Sequence, residues 1–245
     1  MRPHAGRLPI AACAVVIPAH DEAELLPRCL RGVTAAVDRL NAVQPDLMTT
    51  VVLVLDRCSD DSDSVAETFP IVHAMETDAG SVGMARHLGC RQAIAQMMHG
   101  AGTCWLACTD ADSVVPPDWL TTHLRLAGEG ADVVLGTVIP DYDEPTGTPF
   151  DRWLEQYPQT ESDSFVHGAN LGIRADLYLR IGGFRAAVQH EDVQLVEAAR
   201  RSGAVLTSTS ECAVLTSGRY TSRSAGGFSG RMTDRHGLGG FTRGF

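Results

Sequence analysis

Five short apolar runs punctuate the first 140 residues of the chain, and each gives way to a periodic or turn-rich stretch. Ala12 to Ile17 is continuously apolar and closes on Pro18, the pattern of a strand buried on both faces. Asp21 and Glu22 then open an expected helix, with Pro27 near its first turns and Leu26, Leu30, Val33, Val37 and Leu40 along one face. Thr50 to Leu55 reads as a second buried strand ending at Asp56. Asp60, Asp61 and Ser62 offer N-caps for a short helix through Phe69. Ile71 to Met75 is expected as a third strand, Gly80 to Gly83 as a turn and Met84 to Met98 as a helix. Thr103 to Thr109 follows as a strand, then a helix begun by Pro116 and Pro117 that carries Trp119, Leu120, His123 and Leu124. Ala131 to Ile139 is the fifth strand. This alternation predicts an α/β fold with a mainly parallel central sheet flanked by helices.

Beyond Pro140 the regularity breaks. Pro140 to Pro149 is acidic and turn-rich, and a short aromatic helix is expected near Trp153 and Tyr157. Gly168 to Arg174 reads as a strand, Ala175 to Ile181 as a short helix, and Glu191 to Arg201 as a helix with Val193, Val196 and Ala199 on its apolar side. Val205 to Thr207 and Ala213 to Leu215 read as two late strands. From Gly218 the chain is rich in glycine and arginine with Asp234 as its one acid, the composition of a basic tail or of a loop ordered by an anionic ligand. One domain over residues 1–217 is expected, followed by this segment, 218–245.

The formal net charge of −10 argues against a nucleic-acid partner, which calls for a basic surface. It also means that an anionic substrate would need a metal ion or an arginine cluster to reverse the local field. The seven cysteines are scattered and form no Cys-x-x-Cys pair, which suits reduced thiols and a cytoplasmic location. Arg2, Arg7 and the following apolar stretch imitate a leader, but the stretch before Cys13 is too short for its hydrophobic region. No run approaches the ~18 apolar residues of a membrane span.

The chemistry concentrates at Thr109-Asp110-Ala111-Asp112-Ser113. Extended backbone sends side chains at i and i+2 to the same side, so Asp110 and Asp112 point together. Crowded carboxylates call for a cation, and hard oxygen ligands favour Mg²⁺ or Mn²⁺, which commonly bridge to phosphate oxygens. The end of a strand is also where open α/β sheets bind ligands. The plainer alternative is a turn before Pro116.

The order of the pieces resembles the family 2 glycosyltransferases of GT-A fold, the nucleotide-diphospho-sugar transferase architecture, over about residues 12–216. The resemblance is carried by Val15-Val16-Ile17-Pro18-Ala19-His20-Asp21-Glu22, by Asp56-Arg57-Cys58-Ser59-Asp60-Asp61-Ser62, and by Gly83-Met84-Ala85-Arg86-His87-Leu88-Gly89. It continues through Asp110-Ala111-Asp112, Gly168-Ala169-Asn170-Leu171-Gly172-Ile173-Arg174, Gly182-Gly183-Phe184 and His190-Glu191-Asp192. It implies a nucleotide-sugar half over about residues 10–115 and an acceptor half over about 116–217.

That resemblance implies an inverting, metal-dependent transfer of a sugar from a nucleotide-diphosphate donor to a hydroxyl acceptor. It implies donor contacts from Pro18, Ala19, His20, Glu22, Asp56, Arg86, Asp110, Ala111 and Asp112, with Asp110 and Asp112 holding Mn²⁺ or Mg²⁺ and Asp112 as the direct ligand. Asp192 is the implied general base, with Glu191 the neighbouring alternative. His167, Gly168, Asn170 and His190 are expected to line the acceptor pocket. Arg219 and Arg223 are expected on the diphosphate, since arginine forks suit that group. A basic segment touching anionic lipid at the inner face of the membrane is the competing account of those arginines.

Two positions depart from the family pattern: Arg57 stands where an acid is usual, and His87 where asparagine is usual. Two other functions fit parts of the chain. A sugar-phosphate nucleotidyltransferase would carry a glycine-rich loop after the first strand, which Pro18 to Glu22 lacks. A non-catalytic nucleotide-sugar binding protein would have no need of Asp192.

Overall fold

Every residue of β1 (Ala12–Ala19) is buried, because both faces of this strand are covered by helices. Its odd-numbered residues Cys13, Val15 and Ile17 join one apolar layer, and its even-numbered Ala12, Ala14 and Val16 join the other. That is the period-2 alternation of a strand read in three dimensions. The protein is seen here as a computed structural model that describes residues 8–97, 100–141, 166–185 and 190–217.

After β1 come α1 (Leu26–Val43), β2 (Met48–Asp56), α2 (Ser62–Glu67), β3 (Val72–Thr77), α3 (Val82–Gln96), β4 (Cys104–Cys108) and β5 (Ser113–Val114). Then follow α4 (Trp119–Gly128), β6 (Val133–Asp141), β7 (Leu171–Arg174), α5 (Ala175–Arg180), α6 (Glu191–Arg201) and β8 (Leu206–Ser217). The strands form one sheet in the order β3-β2-β1-β4-β7-β6-β8-β5. The parallel and antiparallel pairings give β3, β2, β1, β4, β6 and β8 one direction, with β7 and β5 running against it. Helices α1, α2 and α4 cover one face, and α3, α5 and α6 the other.

This topology positions the site. The chain moves outward from β1 to β2 to β3, then returns through α3 to β4 on the other side of β1. The crevice at the carboxyl ends of β1 and β4 is therefore a topological switch point, where open α/β sheets bind their ligands.

Several expected elements differ in extent. The helix expected from Asp21 begins at Leu26, because Asp21 adopts a left-handed φ of 50° and the carbonyl of Glu22 already accepts from Leu25 and Leu26 N–H. Helix α3 starts inside the expected glycine turn, where Ser81 caps it by accepting from the Met84 amide. Gly168 to Asn170 forms a 3-10 turn, and only Leu171–Arg174 of that expected strand pairs in the sheet. The two expected late strands are one 12-residue strand, β8, which pairs with β6 across an irregularity between Gly136 and Val138. The short β5 was not expected; it joins Ser113 and Val114 to Thr216 and Leu215 of β8. The aromatic helix near Trp153 and Tyr157, the 142–149 stretch, and Arg219 and Arg223 lie outside the described residues.

All seven cysteines are free. Burial pushes the Cys13 and Cys212 thiols up to about 12, so they act as small apolar side chains. No described helix is long and apolar enough to cross a membrane.

A polar knot crosses the second half of the sheet. Asn170, with no exposed surface, accepts from Trp119 Nε1 at 2.8 Å and donates to the carbonyls of Thr137 and Cys212 at 3.0 and 2.9 Å. His123 Nδ1 accepts from Trp105 Nε1 at 3.4 Å, which leaves its Nε2–H to donate to Asn170 Oδ1 at 3.2 Å. Both rings bearing on Asn170 are thereby held, and the imidazole is neutral. Burial pushes His123 down to about 4, against which its bond to Asn170 acts only partly.

This yields a pH prediction. The unfolded histidine binds its proton below about pH 6.5, while the folded one resists to about pH 4. The stability held by neutral His123 is therefore complete above about pH 6.5 and lost as pH falls towards 4, with a limit of about 3 kcal/mol. His123→Gln is expected to be less stable at neutral pH but to show a flatter acid slope in denaturant titrations between pH 6.5 and 4. Equal slopes in both proteins would assign the acid loss to other groups.

Candidate active site

One wall of the crevice forms where β1 and β2 end together. Asp56, the last residue of β2, is buried, and its Oδ1 accepts from the Gly80 amide at 3.0 Å. His20 is exposed beyond β1 and its Nδ1–H donates to the Asp56 carbonyl at 2.6 Å. Pro18 and Ala19 are buried in the strand end, with Glu22 half-buried in the turn that follows. Asp21 and Asp60 lock this turn to the β2–α2 loop. Asp21 accepts from Ser59 N at 2.6 Å and Asp60 N at 3.2 Å, and Asp60 accepts from Ala23 N at 2.8 Å and from Ser62. The Ser59 amide leads in holding the Asp21 carboxylate below its ordinary range.

Arg57, the departure from the family pattern, takes a left-handed φ of 55°. Its guanidinium reaches the loop between β3 and α3 and donates to the Asp78 carbonyl at 3.0 Å. It forms the exposed rim of the Asp56 wall. Burial, with a smaller contribution from Arg91, lowers the pKa of His87, the other departure. It sits 3.0 Å from the Tyr178 hydroxyl, which itself accepts from the Phe184 amide.

The β4 wall carries Asp110, Ala111 and Asp112. Asp110 is a third exposed and Asp112 half-buried, while Ala111 packs inward. Asp112 is fixed from behind: its carbonyl accepts from Ser217 N at 3.2 Å, and its Oδ1 lies 3.2 Å from Ser113 Oγ and 3.4 Å from Thr216 Oγ1. The unexpected pairing of β5 with β8 is thus what braces this carboxylate.

Across the crevice, Glu191 and Asp192 open α6, where acids suit the helix N-terminus. They point to different partners. Glu191 is buried and accepts from Arg86 Nη1. Asp192 remains half-buried, and its Oδ2 accepts from the Gly168 amide at 3.0 Å. Arg86 Nη2 donates to Asp110, so one guanidinium joins the two walls. Gly168 makes room for it, since a Cβ there would stand 2.4 Å from the guanidinium carbon.

The remaining expected residues divide. His167 is half-buried before the Gly168 turn, and His190 is exposed at the start of α6 with a left-handed φ of 63°. Asn170, expected on the acceptor side, is wholly buried, and its amide bonds to Trp119 and to the Thr137 carbonyl in the polar knot. Arg86, expected as a donor contact, is only 3% exposed and directs both terminal nitrogens at carboxylates. Missed in the sequence were the Asp21–Asp60 clamp and the Thr216 brace. The run of Asp and Ser at 59–63 signalled local capping, but nothing local signalled a brace from 104 residues away.

Does this site suit a divalent cation? Asp110 and Asp112 offer hard oxygens, partly open to solvent, at the switch point. Two such carboxylates fit Mg²⁺ or Mn²⁺ when substrate oxygens and water complete the shell. Among the described residues, the three-group cluster with ligand-like spacing is instead Asp21, Cys58 and Asp60. Its two carboxylates are already engaged by backbone amides and Ser62, so it is a loop clamp.

Comparison with solved structures places this fold among glycosyltransferases. TarS 1–349 of S. aureus is 14% identical with a TM-score of 0.62, covering 84% of this chain and 60% of that one. The mannosyltransferase PcManGT of Pyrobaculum calidifontis, solved with GDP-Man and Mn²⁺, is 19% identical with a TM-score of 0.61, covering 87% and 60%. Glucosyl-3-phosphoglycerate synthase of Mycobacterium tuberculosis, solved with Mn²⁺ and UDP-glucose, is 16% identical with a TM-score of 0.56, covering 98% and 83%. The chain thus spans less than two thirds of the length of the first two. No curated protein sequence matches it. Identities this low establish the fold, which is the expected GT-A architecture. Membership rests on the model of glycosyl transferase family 2, which matches residues 14–184 and so takes in Asp56, Asp110, Asp112 and Gly168: the chain belongs to that family.

Proposed function

We propose that the protein transfers a sugar from a nucleotide-diphosphate donor to an acceptor hydroxyl, with metal dependence and inversion at the anomeric carbon. The observation that carries this reading is the pair Asp110 and Asp112 at the switch-point crevice, facing an α6 start whose two acids have separate partners. Relatives of the same fold were solved with GDP-Man or UDP-glucose together with Mn²⁺, which supports the donor class.

In this reading residues of about 10–115 bind the donor and those of about 116–217 the acceptor. Asp56 accepts from the nucleotide base, and Pro18, Ala19, His20 and Glu22 line the same cleft. Asp112, with Asp110, holds Mn²⁺ or Mg²⁺, and a cation bound there supplies Lewis-acid stabilisation of the departing diphosphate. Arg219 and Arg223 approach that diphosphate from the glycine-rich segment.

Asp192 acts as general base. The acceptor oxygen bonds to the anomeric carbon from the face opposite the diphosphate, and the carbon–oxygen bond to the diphosphate breaks. The diphosphate keeps that electron pair, and the acceptor proton passes to Asp192. Gly168 N–H holds one oxygen of Asp192, and Val193 N–H donates to the other at 2.8 Å, so the carboxylate is oriented before substrate arrives. His167, Gly168 and His190 form the acceptor-side wall. A cytoplasmic setting belongs to this reading and is supported by the seven free thiols.

Two predictions test it. In thermal-shift measurements, UDP or GDP is expected to raise the melting temperature only with Mn²⁺ or Mg²⁺ present, as mass action requires of a native-state ligand. Asp112→Ala is expected to abolish that rise; a rise indifferent to chelator and to the substitution would remove the metal from the proposal.

Asp192→Asn is expected to keep the diphosphate shift while lowering turnover of a nucleotide sugar by roughly 10²–10⁴-fold, read as released nucleoside diphosphate. Near-normal turnover would dismiss Asp192 as base. Release of pyrophosphate in place of nucleoside diphosphate would mark a nucleotidyltransferase.

A further inference from the structure

Arg86 has no role in the chemistry just described, yet it is the most enclosed charge in the site. It lies in the first turns of α3, 3% exposed, and touches four separate stretches of chain. Nη2 donates to Asp110 beyond β4, and Nη1 donates to Glu191 at the start of α6. The guanidinium carbon stands 5.8 Å from the centre of the Phe184 ring, and the guanidinium occupies the space that a Cβ on Gly168 would fill. The approach of α6 is equally close, since a Cβ on Gly83 would stand 2.9 Å from Glu191. Burial disfavours the charge, but Asp110, then Glu191 and Asp192, outweigh it and hold the guanidinium protonated.

These contacts are those on which the proposed base depends. Asp192 has two supports, its own helix start and the Gly168 amide, and both rest against Arg86. Asp110 belongs to the proposed donor side. A planar fork can hold two carboxylates at fixed angles to each other, which a flexible ammonium cannot. Glu191, committed to that fork and buried, is a strut rather than a second base.

We propose that Arg86 is a positioning residue that sets the distance and angle between the β4 carboxylates and Asp192, acting through Glu191 and the Gly168 turn. This rests on the transferase reading above. It assigns Arg86 to the reacting geometry and not to donor affinity.

The experiment compares Arg86→Lys, Glu191→Gln and the unaltered protein. Arg86→Lys is expected to lower kcat about 100-fold, the scale of a roughly 1 Å misplacement, while the dissociation constant of Mn²⁺–UDP or Mn²⁺–GDP stays within about threefold. A parallel loss of diphosphate affinity would assign Arg86 to donor binding, directly or through Asp110, and overturn the proposal; so would a folded Arg86→Lys with unaltered kcat. Glu191→Gln keeps the acceptor oxygen and the shape of the strut, and is expected to fold and to retain about a tenth of turnover or more. Complete loss there, with Asp192→Asn still active, would make Glu191 the base.

A readout independent of turnover is amide exchange. Exchange at Gly168, whose N–H is held by Asp192, is expected to quicken about tenfold or more in Arg86→Lys while β1 amides keep their rates. Unchanged exchange at Gly168 would reject the positioning role even in a protein that transfers nothing. Absence of transfer by the unaltered protein, by contrast, would reject the transferase reading alone.

Discussion

Everything in this site depends on β1 having a parallel neighbour on each side. Parallel neighbours cannot be joined by a tight turn, so each connection must cross a face of the sheet as a helix. The β1–β2 crossover uses one face and the return to β4 the other, which brings the carboxyl ends of three strands to one edge. His20, Asp56 and Asp110 are far apart in sequence yet share that edge for this reason alone. The antiparallel β7 then lets the chain turn back through Gly168, so the second half of the protein meets the first across the crevice.

The same edge gathers negative charge in a protein that is already acidic. Asp56, Asp110, Asp112, Glu191 and Asp192 all border it. The structure handles this locally. Asp56 accepts from a backbone amide, Asp192 from two, Asp112 lies against hydroxyls, and Asp110 shares Arg86 with Glu191. Removing Arg86 would leave the buried Glu191 without its counter-charge, which typically costs about 3–5 kcal/mol. The pairing is thus strongly fixed once made, even though a buried ion pair need not raise net stability.

Strands β1, β2 and β4 were legible because they are buried on both faces over most of their length and so appear as unbroken apolar runs. The candidate carboxylates were legible as a pair at the end of a strand, but not their geometry: Asp110 to Ser113 is a turn closed by the Ser113 amide on the Asp110 carbonyl, not the extended backbone that the i, i+2 spacing assumed. The continuity of β8 was not legible: its two ends were expected as separate strands, since the middle of Leu206–Ser217 is polar and mostly exposed and only Cys212, Val214 and Thr216 keep the buried alternation. The partner of Arg86 was out of reach for another reason: Glu191 is 105 positions away, and an arginine near a helix start ordinarily faces water. The burial of Asn170 was not legible because a motif marks a place in the chain without saying which way a side chain points.

The turn at Gly168 to Asn170 joins two systems that a burial map would keep apart. Its first residue faces the proposed base, and its last is tied to Trp119, His123 and the carbonyls of β6 and β8. Any repacking around those indoles would move the Gly168 amide with it. A campaign to change acceptor choice by altering only solvent-facing positions would leave these buried ties untouched. A screen for thermal tolerance in the core would, through this three-residue lever, be selecting on catalysis as well.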